Sequence, residues 1–456
     1  MREGAMSTPA AALPETVIVG LGATGWSVAR HLHRLGEPFR VVDSRISPPH
    51  EDALRQLCPE APVHFGPWPA DCFAGARRIV LSPGVSPQEP ALAAARAGGA
   101  IVEGDIALFA RAARAPIAAI TGSNGKSTVT ALLGEMARTA GVRVGVGGNL
   151  GTPALDLLAD DAELYVLELS SFQLETTDAL NARVGAVLNL SEDHIDRHGS
   201  MAEYAACKAR IFRHAQVHAA PVRVLNAEDE AVAAMAESET PVRWFGLAST
   251  SSDHYRVVKH AGQHWLAAGN DRLLPVAALS LIGEHHQANA LAALAMADAL
   301  GLPRDAALDA LRRFRGLPHR TQLVGEFRGV RYVDDSKGTN VGATVAALKG
   351  VQGPLVLIAG GQGKGQDFTA LRPWVAGKVR AAILIGQDAE ALAGALKGST
   401  TVHRAADMAA AVRLAARLAH AGDAVLLSPA CASLDMFRDY HHRGEAFAAA
   451  VQEVAA

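Results

Sequence analysis

The sequence predicts an α/β protein of three domains: a Rossmann-like N-terminal domain, a central domain with a mostly parallel sheet, and a Rossmann-like C-terminal domain. Short apolar runs rich in β-branched residues alternate with helical patterns along the chain, an order typical of parallel sheets. Glycine-rich or polar loops follow several of these runs. The length of 456 residues is too great for one ordinary domain. We expect the domains at residues 1–104, 105–316 and 317–456.

Composition excludes several classes of partner. Lys and Arg number 43 against 46 Asp and Glu, so the net charge is only −3, and we expect neither nucleic acid nor an anionic membrane as a partner. No segment has the length and apolarity of a membrane span. The first fifteen residues lack the apolar core of a signal peptide. The four cysteines are scattered without metal-binding spacing, so we expect reduced thiols and a cytoplasmic protein.

The first domain contains a nucleotide-binding pattern. The segment GLGATG at residues 20–25 follows an apolar strand and opens a helix, and the next strand ends at Asp43 and Ser44. A G-x-G-x-x-G on such a βαβ unit predicts a dinucleotide site, so an NAD(P) oxidoreductase is one alternative, but a lone fingerprint is weak evidence. Asp43 and Ser44 are candidates for contacts to a ribose or a base edge. Residues 82–84 (SPG) follow another strand, at the sheet edge where such folds bind ligands or simply as a turn.

The central domain opens with a phosphate-binding loop. Residues 117–130 (IAAITGSNGKSTVT) form a strand, a glycine loop and a helix start. Lys126 would contact the terminal phosphates, and Ser127 or Thr128 would offer a hydroxyl to Mg²⁺. The loop is shorter than usual, and the alternative is a glycine turn that caps a helix, which Lys-Ser-Thr after a buried strand disfavours. The candidate nucleotide-binding residues here are Gly122, Ser123, Asn124, Gly125, Lys126, Ser127 and Thr128.

Two further buried strands of this domain should end beside the phosphate loop. Residues 164–169 carry Glu168 at their end, and residues 184–190 lead into SEDHID, which contains His194. The carboxyl ends of parallel strands share one edge, so a carboxylate and an imidazole would meet there and could hold Mg²⁺. For His194 alone a buried structural histidine is the simpler interpretation, but its acidic neighbours favour function. Lys208 lies among apolar residues in a helix, where a lysine that reaches the surface is the usual explanation.

The third domain has polar loops after its predicted strands. Lys337 and Thr339 lie in DDSKGTN, Lys364 in GGQGKGQDF and Ser433 in SPACASLD. Lysines and hydroxyls in such loops suit a small anionic acceptor such as an amino acid. Three ligand-binding domains, with ATP in the central one, are consistent with a reaction in which a carboxylate is phosphorylated and an amine then attacks it. Catalysis of this kind depends on positioning and on cations that neutralise developing charge.

The chain resembles the Mur ligase family of peptidoglycan synthesis. The resemblance runs from Val17 to Phe447, and its motifs are TGSNGKST, GGN (147–149), ELSSFQLE, SEDHIDRH, HR (319–320), DDSKGTN, GGQGKGQDF and SPACASLD. It implies a P-loop-type ATPase as the central domain, and an ATP-dependent amide ligase that adds D-glutamate to UDP-N-acetylmuramoyl-L-alanine through an acyl phosphate. It also implies a monomer that works in cell-wall growth, cell shape and cell division.

The resemblance further implies a role for individual residues. Lys126, Glu168, His194, Lys208 and Lys337 would be catalytic. Ser127 and Glu168 would hold one Mg²⁺, and His194 a second, with Mn²⁺ as an alternative ion and Lys208 carbamylated to orient the second ion. ATP would also contact Asn289, Arg320 and Asp335. The UDP-sugar would be bound by Ala23, Thr24, Asp43, Ser44, Ser82, Gly84 and Asn149. The incoming glutamate would be bound by Thr339, Lys364, Ser433, Leu434 and Tyr440.

The chain departs from the family pattern at three positions. His286 stands where the family usually has an asparagine near the adenine, although Asn289 keeps its place. Gln362 replaces a common aspartate, and Tyr440 replaces a more usual phenylalanine, both near the expected amino-acid pocket. A folylpolyglutamate-synthase-like ligase is an alternative that the UDP-type first domain disfavours. A nucleotide-dependent switch is another, which the combination of Glu168, His194 and further lysines disfavours.

Overall fold

The structure, a computed structural model, describes residues 14–69, 71–214, 221–237, 239–281 and 283–455. Three separate sheets, of five, nine and six strands, follow one another along the chain, each flanked by helices. Most neighbouring strands are parallel. The three-domain α/β architecture predicted from the sequence is therefore confirmed.

The N-terminal sheet is fully parallel, in the order β3-β2-β1-β4-β5. Its strands are β1 (Thr16–Val19), β2 (Phe39–Asp43), β3 (Val63–Phe65), β4 (Arg78–Leu81) and β5 (Ile101–Gly104), and its helices are α1 (Ala23–Arg34), α2 (Glu51–Leu57) and α3 (Pro90–Ala97). The chain moves outwards from β1 to β3 and then crosses back to β4. This reversal opens a crevice at the carboxyl ends of β1 and β4, where open α/β sheets bind ligands.

The central sheet has the order β14-β13-β12-β11-β10-β9-β6-β8-β7. Its strands are β6 (Ile117–Thr121), β7 (Val144–Gly148), β8 (Leu164–Glu168), β9 (Val184–Val187), β10 (Val222–Asn226), β11 (Val242–Phe245), β12 (Tyr255–His260), β13 (Gln263–Ala268) and β14 (Asp271–Pro275). Its helices are α4 (Asp105–Ala112), α5 (Lys126–Thr139), α6 (Ser171–Glu175), α7 (Ile195–His198), α8 (Met201–Ala209), α9 (Glu230–Ala233), α10 (Glu284–Leu300) and α11 (Arg304–Arg313). Only β12 to β14 pair antiparallel.

The middle of this sheet is buried because its strands are apolar throughout. β6, β8 and β9 are buried along their whole length, as expected for a parallel sheet covered on both faces. Helices α5 and α10 pack side by side on the sheet and α11 packs against both, so that their alanine- and leucine-rich segments join one core. The register places Ile120 opposite Glu168 and Thr121 opposite Val187. The ends of the three strands therefore lie side by side at one sheet edge.

The C-terminal sheet has the order β15-β16-β20-β17-β18-β19, and only the hairpin of β15 and β16 is antiparallel. Its strands are β15 (Gln322–Phe327), β16 (Val330–Asp334), β17 (Leu355–Gly360), β18 (Val379–Ile385), β19 (Thr401–Arg404) and β20 (Ala424–Leu427). Its helices are α12 (Val341–Gly350), α13 (Arg372–Val375), α14 (Ala389–Leu396), α15 (Met408–Leu418) and α16 (Tyr440–Ala455). Across the described ranges of all three domains, no helix has both the length and the apolarity to cross a membrane.

Candidate active site

The phosphate-binding loop lies between β6 and α5, as predicted. Gly122 and Gly125 have φ of 150° and 84°, which favour glycine. A Cβ on Gly125 would lie 2.4 Å from the Asn289 side-chain oxygen, so a larger residue would collide with α10. The Lys126 ammonium group folds back and donates to the carbonyls of Gly122 (2.8 Å) and Ser123 (2.9 Å). Burial lowers the pKa of this lysine, although the Glu168 charge opposes the shift.

Glu168 receives hydrogen bonds from two sides. The Ser127 hydroxyl donates to its Oε2, and the Asn149 amide donates to its Oε1 at 2.7 Å. Burial alone would raise the pKa of this carboxyl, but the Lys126 charge and the two hydrogen bonds hold it below its ordinary value. An ionised carboxylate beside a hydroxyl is an all-oxygen donor pair, which suits Mg²⁺. The structure thus brings the predicted pair Ser127 and Glu168 together.

Lys208 is buried, which rules out the surface explanation of this lysine. Its Nζ donates to the Gly122 carbonyl at 2.9 Å and to the Thr121 hydroxyl at 3.4 Å, and it lies 4.5 Å from the centre of the Tyr204 ring. Burial, with the charge of Lys126, lowers the pKa of Lys208 well below its ordinary value. Burial therefore disfavours the charged form of this amine, which contacts the phosphate loop.

His194 lies at the same edge but makes few contacts. It adopts a left-handed backbone with φ of 56° and packs edge-on against Phe172 at 4.7 Å. Burial lowers the pKa of His194 to about 4, so its imidazole is neutral and can bind a metal ion, and its Nε2 lies 3.7 Å from the Asp193 carboxylate. No group of three or more His, Cys, Asp or Glu side chains converges as a metal site in the described part of the chain. Any Mg²⁺ here would keep water or substrate oxygens as ligands.

A cavity of about 300 Å³ separates the central and C-terminal domains beside the phosphate loop. Its lining includes the predicted nucleotide residues Asn124, Gly125, Thr128, Asn289, Arg320, Asp335 and Lys337, together with His286. Burial raises the pKa of Asp335 to about 7 and lowers that of Lys337 to about 8. The Lys337 ammonium group lies 3.8 Å from the centre of the Tyr440 ring. The cavity therefore combines a cation, a titratable carboxyl and apolar walls, which suit a nucleotide.

The C-terminal domain contacts the phosphate-loop region directly. Arg320 donates to the Ser127 hydroxyl at 2.5 Å. The Asn340 amide lies 3.3 Å from oxygens of both Asn124 and Asp193. Lys364 donates to the other oxygen of Asp193 at 3.4 Å. Asp193 and Asn340 were not among the predicted site residues, although they lie inside the motifs SEDHIDRH and DDSKGTN.

A second cavity, of about 550 Å³, lies between the N-terminal and central domains. All seven residues predicted for the UDP-sugar line it: Ala23, Thr24, Asp43, Ser44, Ser82, Gly84 and Asn149. The glycine loop is tightly packed, because a Cβ on Gly25 would lie 1.8 Å from the Gly20 carbonyl oxygen. The Asp43 carboxylate accepts bonds from the Leu21 N–H (2.7 Å) and the Arg45 Nε (2.9 Å). Asp43 thus orients Arg45, which also lines the cavity.

The five residues predicted to bind the amino acid do not line a common cavity with the predicted nucleotide or UDP-sugar residues. The described residues that line the two cavities include none of them. Two of their loops are held together, because the backbones of Gln362 and Ala432 exchange hydrogen bonds of 2.9 and 2.8 Å. Ser433 is buried, whereas the Leu434 side chain is 67% exposed. A glutamate site formed by Thr339, Lys364, Ser433, Leu434 and Tyr440 stays a prediction.

Comparison with known proteins agrees with this arrangement. Three family models match: the MurD-like N-terminal domain of Mur ligases at residues 14–104, the Mur ligase middle domain at 120–297 and the Mur ligase glutamate ligase domain at 319–431. The chain is 53% identical to the UDP-N-acetylmuramoylalanine–D-glutamate ligase of Pseudomonas aeruginosa, over 96% of this chain and 98% of that one. It is 54% identical to the enzyme of the same name from Chromohalobacter salexigens, over 95% and 96% of the two chains.

Solved structures share the fold at low identity. A pseudomurein peptide ligase type C from Methanothermus fervidus superposes with a TM-score of 0.61 at 18% identity, over 96% of this chain and 100% of that one. A UDP-N-acetylmuramate–alanine ligase from Thermotoga maritima gives the same TM-score at 20% identity, over 96% and 99%. Since the three family models span most of the chain and relatives share more than half of its residues, the chain belongs to the Mur ligase family, in its UDP-N-acetylmuramoylalanine–D-glutamate ligase branch.

Proposed function

We propose that the protein is an ATP-dependent ligase that joins D-glutamate to UDP-N-acetylmuramoyl-L-alanine in peptidoglycan precursor synthesis. The proposal rests on the position of the phosphate loop between the nucleotide cavity and the UDP-sugar cavity. Asn149, which lines the UDP-sugar cavity, donates a hydrogen bond to Glu168, and Glu168 also accepts one from Ser127 of the phosphate loop. A nucleotide at the loop and a carboxylate in the second cavity would thus meet at Glu168. The names of the relatives supply the two substrates.

The reaction proceeds in two steps. The terminal carboxylate of the UDP-substrate attacks the γ-phosphorus of ATP, and ADP leaves with the electrons of the broken P–O bond. The glutamate amine then attacks the acyl carbon, phosphate leaves, and the amine loses a proton. Lys126 and Lys337 are placed to neutralise charge on the transferred phosphoryl group, a task that dominates such catalysis. Arg320 and Asp335 contact the nucleotide from the C-terminal domain, and Asn289 contacts its base.

The donor groups fit two Mg²⁺ ions, with Mn²⁺ as an alternative. Ser127 and Glu168 would hold the first through oxygen, and the neutral His194 would bind the second. When bound, the ions neutralise phosphate charge. The Lys208 amine is buried and its charged form is disfavoured, which suits carbamylation, in which its nitrogen bonds to the carbon of CO₂ and releases a proton. The resulting carboxylate replaces a nitrogen donor with oxygens that can orient the second ion.

The remaining roles are proposed on the resemblance. Ala23, Thr24, Asp43 and Ser44 bind the uracil end of the substrate, Ser82 and Gly84 its diphosphate, and Asn149 its sugar end. Thr339, Lys364, Ser433, Leu434 and Tyr440 receive glutamate. We propose domain limits at residues 1–104, 105–316 and 317–456, and a monomer that acts in the cytoplasm, where its four unpaired cysteines would stay reduced.

A substrate panel tests the assignment. Phosphate release is measured with ATP, UDP-N-acetylmuramoyl-L-alanine and one amino acid at a time. We expect turnover with D-glutamate, and background rates with L-glutamate, lysine or meso-diaminopimelate. Equal turnover with one of these would contradict the acceptor, and hydrolysis of ATP without either substrate would indicate a nucleotide switch instead.

A lysine variant tests the carbamate. Lys208→Ala should abolish turnover, and short carboxylic acids such as formate or acetate should restore part of it by supplying the missing carboxylate. Lys259→Ala, at an exposed lysine of the same domain, is the matched control and should keep the wild-type rate. An unchanged rate in Lys208→Ala would exclude the carbamate role.

A further inference from the structure

Trp68 lines the UDP-sugar cavity from the loop that follows β3. Strand β3 pairs with β2 so that Phe65 is opposite Asp43. The Gly66 N–H donates to the Asp43 carbonyl at 2.9 Å, which holds the loop after β3 against the loop after β2. Trp68 and Arg45 both line the cavity as a result.

The indole of Trp68 is held in place but leaves its polar group unused. Its ring packs edge-on against Phe73, with centroids 5.4 Å apart and planes 76° apart. Its Nε1 is buried and has no hydrogen-bond partner among the described residues. Buried donors in native proteins almost always have a partner. An acceptor that enters the cavity would supply the missing partner.

The sheet order indicates which end of a nucleotide lies near Trp68. A diphosphate belongs at the glycine loop after β1, where the N–H groups at the start of α1 point into the crevice. β3 is two strands away from β1, which is about 10 Å at the usual strand spacing. That distance is about the separation between a diphosphate and its base. The planar side chains of Arg45 and Trp68 therefore lie at the base end of the cavity.

We propose that Trp68 is a nucleobase-binding residue, whose indole N–H donates to a carbonyl oxygen of the pyrimidine and whose ring edge borders the base. This role rests on the proposed function, because it takes the ligand to be a uridine nucleotide. Trp68 contacts no reacting atom, so it determines affinity for the nucleotide and leaves the chemical step unchanged.

The test compares UDP and uridine binding in three variants by calorimetry and tryptophan fluorescence. Trp68→Phe keeps an aromatic ring without the N–H, and Trp68→Leu removes the ring as well. Trp26→Phe is the matched control, because Trp26 stacks on His50 and does not line the cavity. We expect a Kd about three- to tenfold higher for Trp68→Phe and higher again for Trp68→Leu, with the same factors for both ligands.

Kinetics and fluorescence add independent readouts. KM for the UDP-substrate should rise by the same factors while kcat and KM for ATP stay unchanged. The change in emission on adding UDP should persist in Trp26→Phe and disappear in Trp68→Phe. Wild-type Kd values in both Trp68 variants, or a loss seen with UDP but not uridine, would overturn the proposal alone. A wild-type protein that binds no UDP would overturn the proposed function with it.

Discussion

Replacing Asn340 with aspartate should turn an attractive contact between the C-terminal and central domains, that of Asn340 with Asp193, into a repulsive one. The Asn340 Oδ1 accepts from the Ala343 N–H at 2.8 Å and caps α12, while its amide nitrogen faces Asp193 and Asn124 at 3.3 Å. Aspartate is as good an N-cap as asparagine, so Asn340→Asp keeps the helix start. The amide donor, however, becomes a carboxylate that faces the Asp193 carboxylate.

The size of the effect follows from these contacts. A hydrogen bond to a charged acceptor contributes about 1.5–3 kcal/mol, and one to a neutral acceptor about 1 kcal/mol. Repulsion between two carboxylates about 4 Å apart adds up to about 4 kcal/mol at an effective dielectric constant of 20. Lys364 also contacts Asp193 at 3.4 Å and offsets part of this repulsion. A net cost of about 3–5 kcal/mol lowers the population of the domain arrangement in which Asn340 faces Asp193 at least about 100-fold.

Steady-state kinetics and solution scattering measure the outcome. We expect kcat/KM for D-glutamate to fall about 100-fold or more, the radius of gyration to rise, and binding of UDP at the other domain boundary to stay unchanged. Asn340→Ser keeps a helix cap but removes the amide donor that faces Asp193, so its kcat/KM for D-glutamate should fall only about tenfold. Adding Asp193→Asn to Asn340→Asp exchanges the two groups and should recover at least tenfold. If the aspartate and serine variants lose equally, or the double variant recovers nothing, the reasoning is refuted.

Three other variants test the energetics of the site. Burial raises the pKa of Asp335 from 3.8 to about 7. The ionised Asp335 carboxylate therefore destabilises the fold by up to about 4 kcal/mol, a cost that is absent below pH 4 and complete above pH 7. Asp335→Asn should raise the melting temperature more at pH 8 than at pH 5, and equal shifts at the two pH values would contradict this. The buried Arg443 guanidinium donates to the Ser336 hydroxyl and carbonyl and to the Cys431 carbonyl, so Arg443→Met should lower the free energy of unfolding by about 3 kcal/mol in urea titrations, and a change below about 1 kcal/mol would contradict this. His286 lines the nucleotide cavity, and its Nδ1 has no partner among the described residues. His286→Ala should therefore raise KM for ATP about fivefold, whereas His286→Asn should leave KM unchanged, and kcat should stay constant in both variants. An unchanged KM in the alanine variant would contradict a nucleotide contact.

The parts of the molecule that follow from local sequence could be predicted. Buried strands appear as apolar runs, and parallel pairing puts the residues after them at one edge. This is why Ser127 and Glu168 could be placed together although they are far apart in sequence. The same rule brought Asp43 and Ser82 to one cavity. Strand order and direction were enough for the first inference, whereas a shared ligand for Asp43 and Ser82 was expected from the family resemblance.

The rest depends on how whole domains and side chains pack. Apolar neighbours around Lys208 fit both a surface and a buried lysine, and only the packing of α8 against the phosphate loop decides between them. The contacts of Asn340 with Asp193 join two domains, and no periodicity in a sequence encodes a domain orientation. Trp68 follows a strand of only three residues, too short to stand out as a strand. The five glutamate-site residues lie in loops, whose conformation follows from contacts distant in sequence.

One chain of hydrogen bonds runs from the UDP-sugar cavity through the central domain to the C-terminal domain. Asn149, at the cavity shared with the N-terminal domain, donates to Glu168, which accepts from Ser127, which in turn accepts from Arg320 of the C-terminal domain. A ligand that alters one member changes the free energy of the others. Thermodynamic reciprocity then requires that, if the UDP-substrate tightens nucleotide binding by some factor, the nucleotide tightens UDP-substrate binding by the same factor. If the coupling is equal in both directions, an apparent order of substrate addition would follow from substrate concentrations and binding rates. It would not require that one site forms only after the other is occupied.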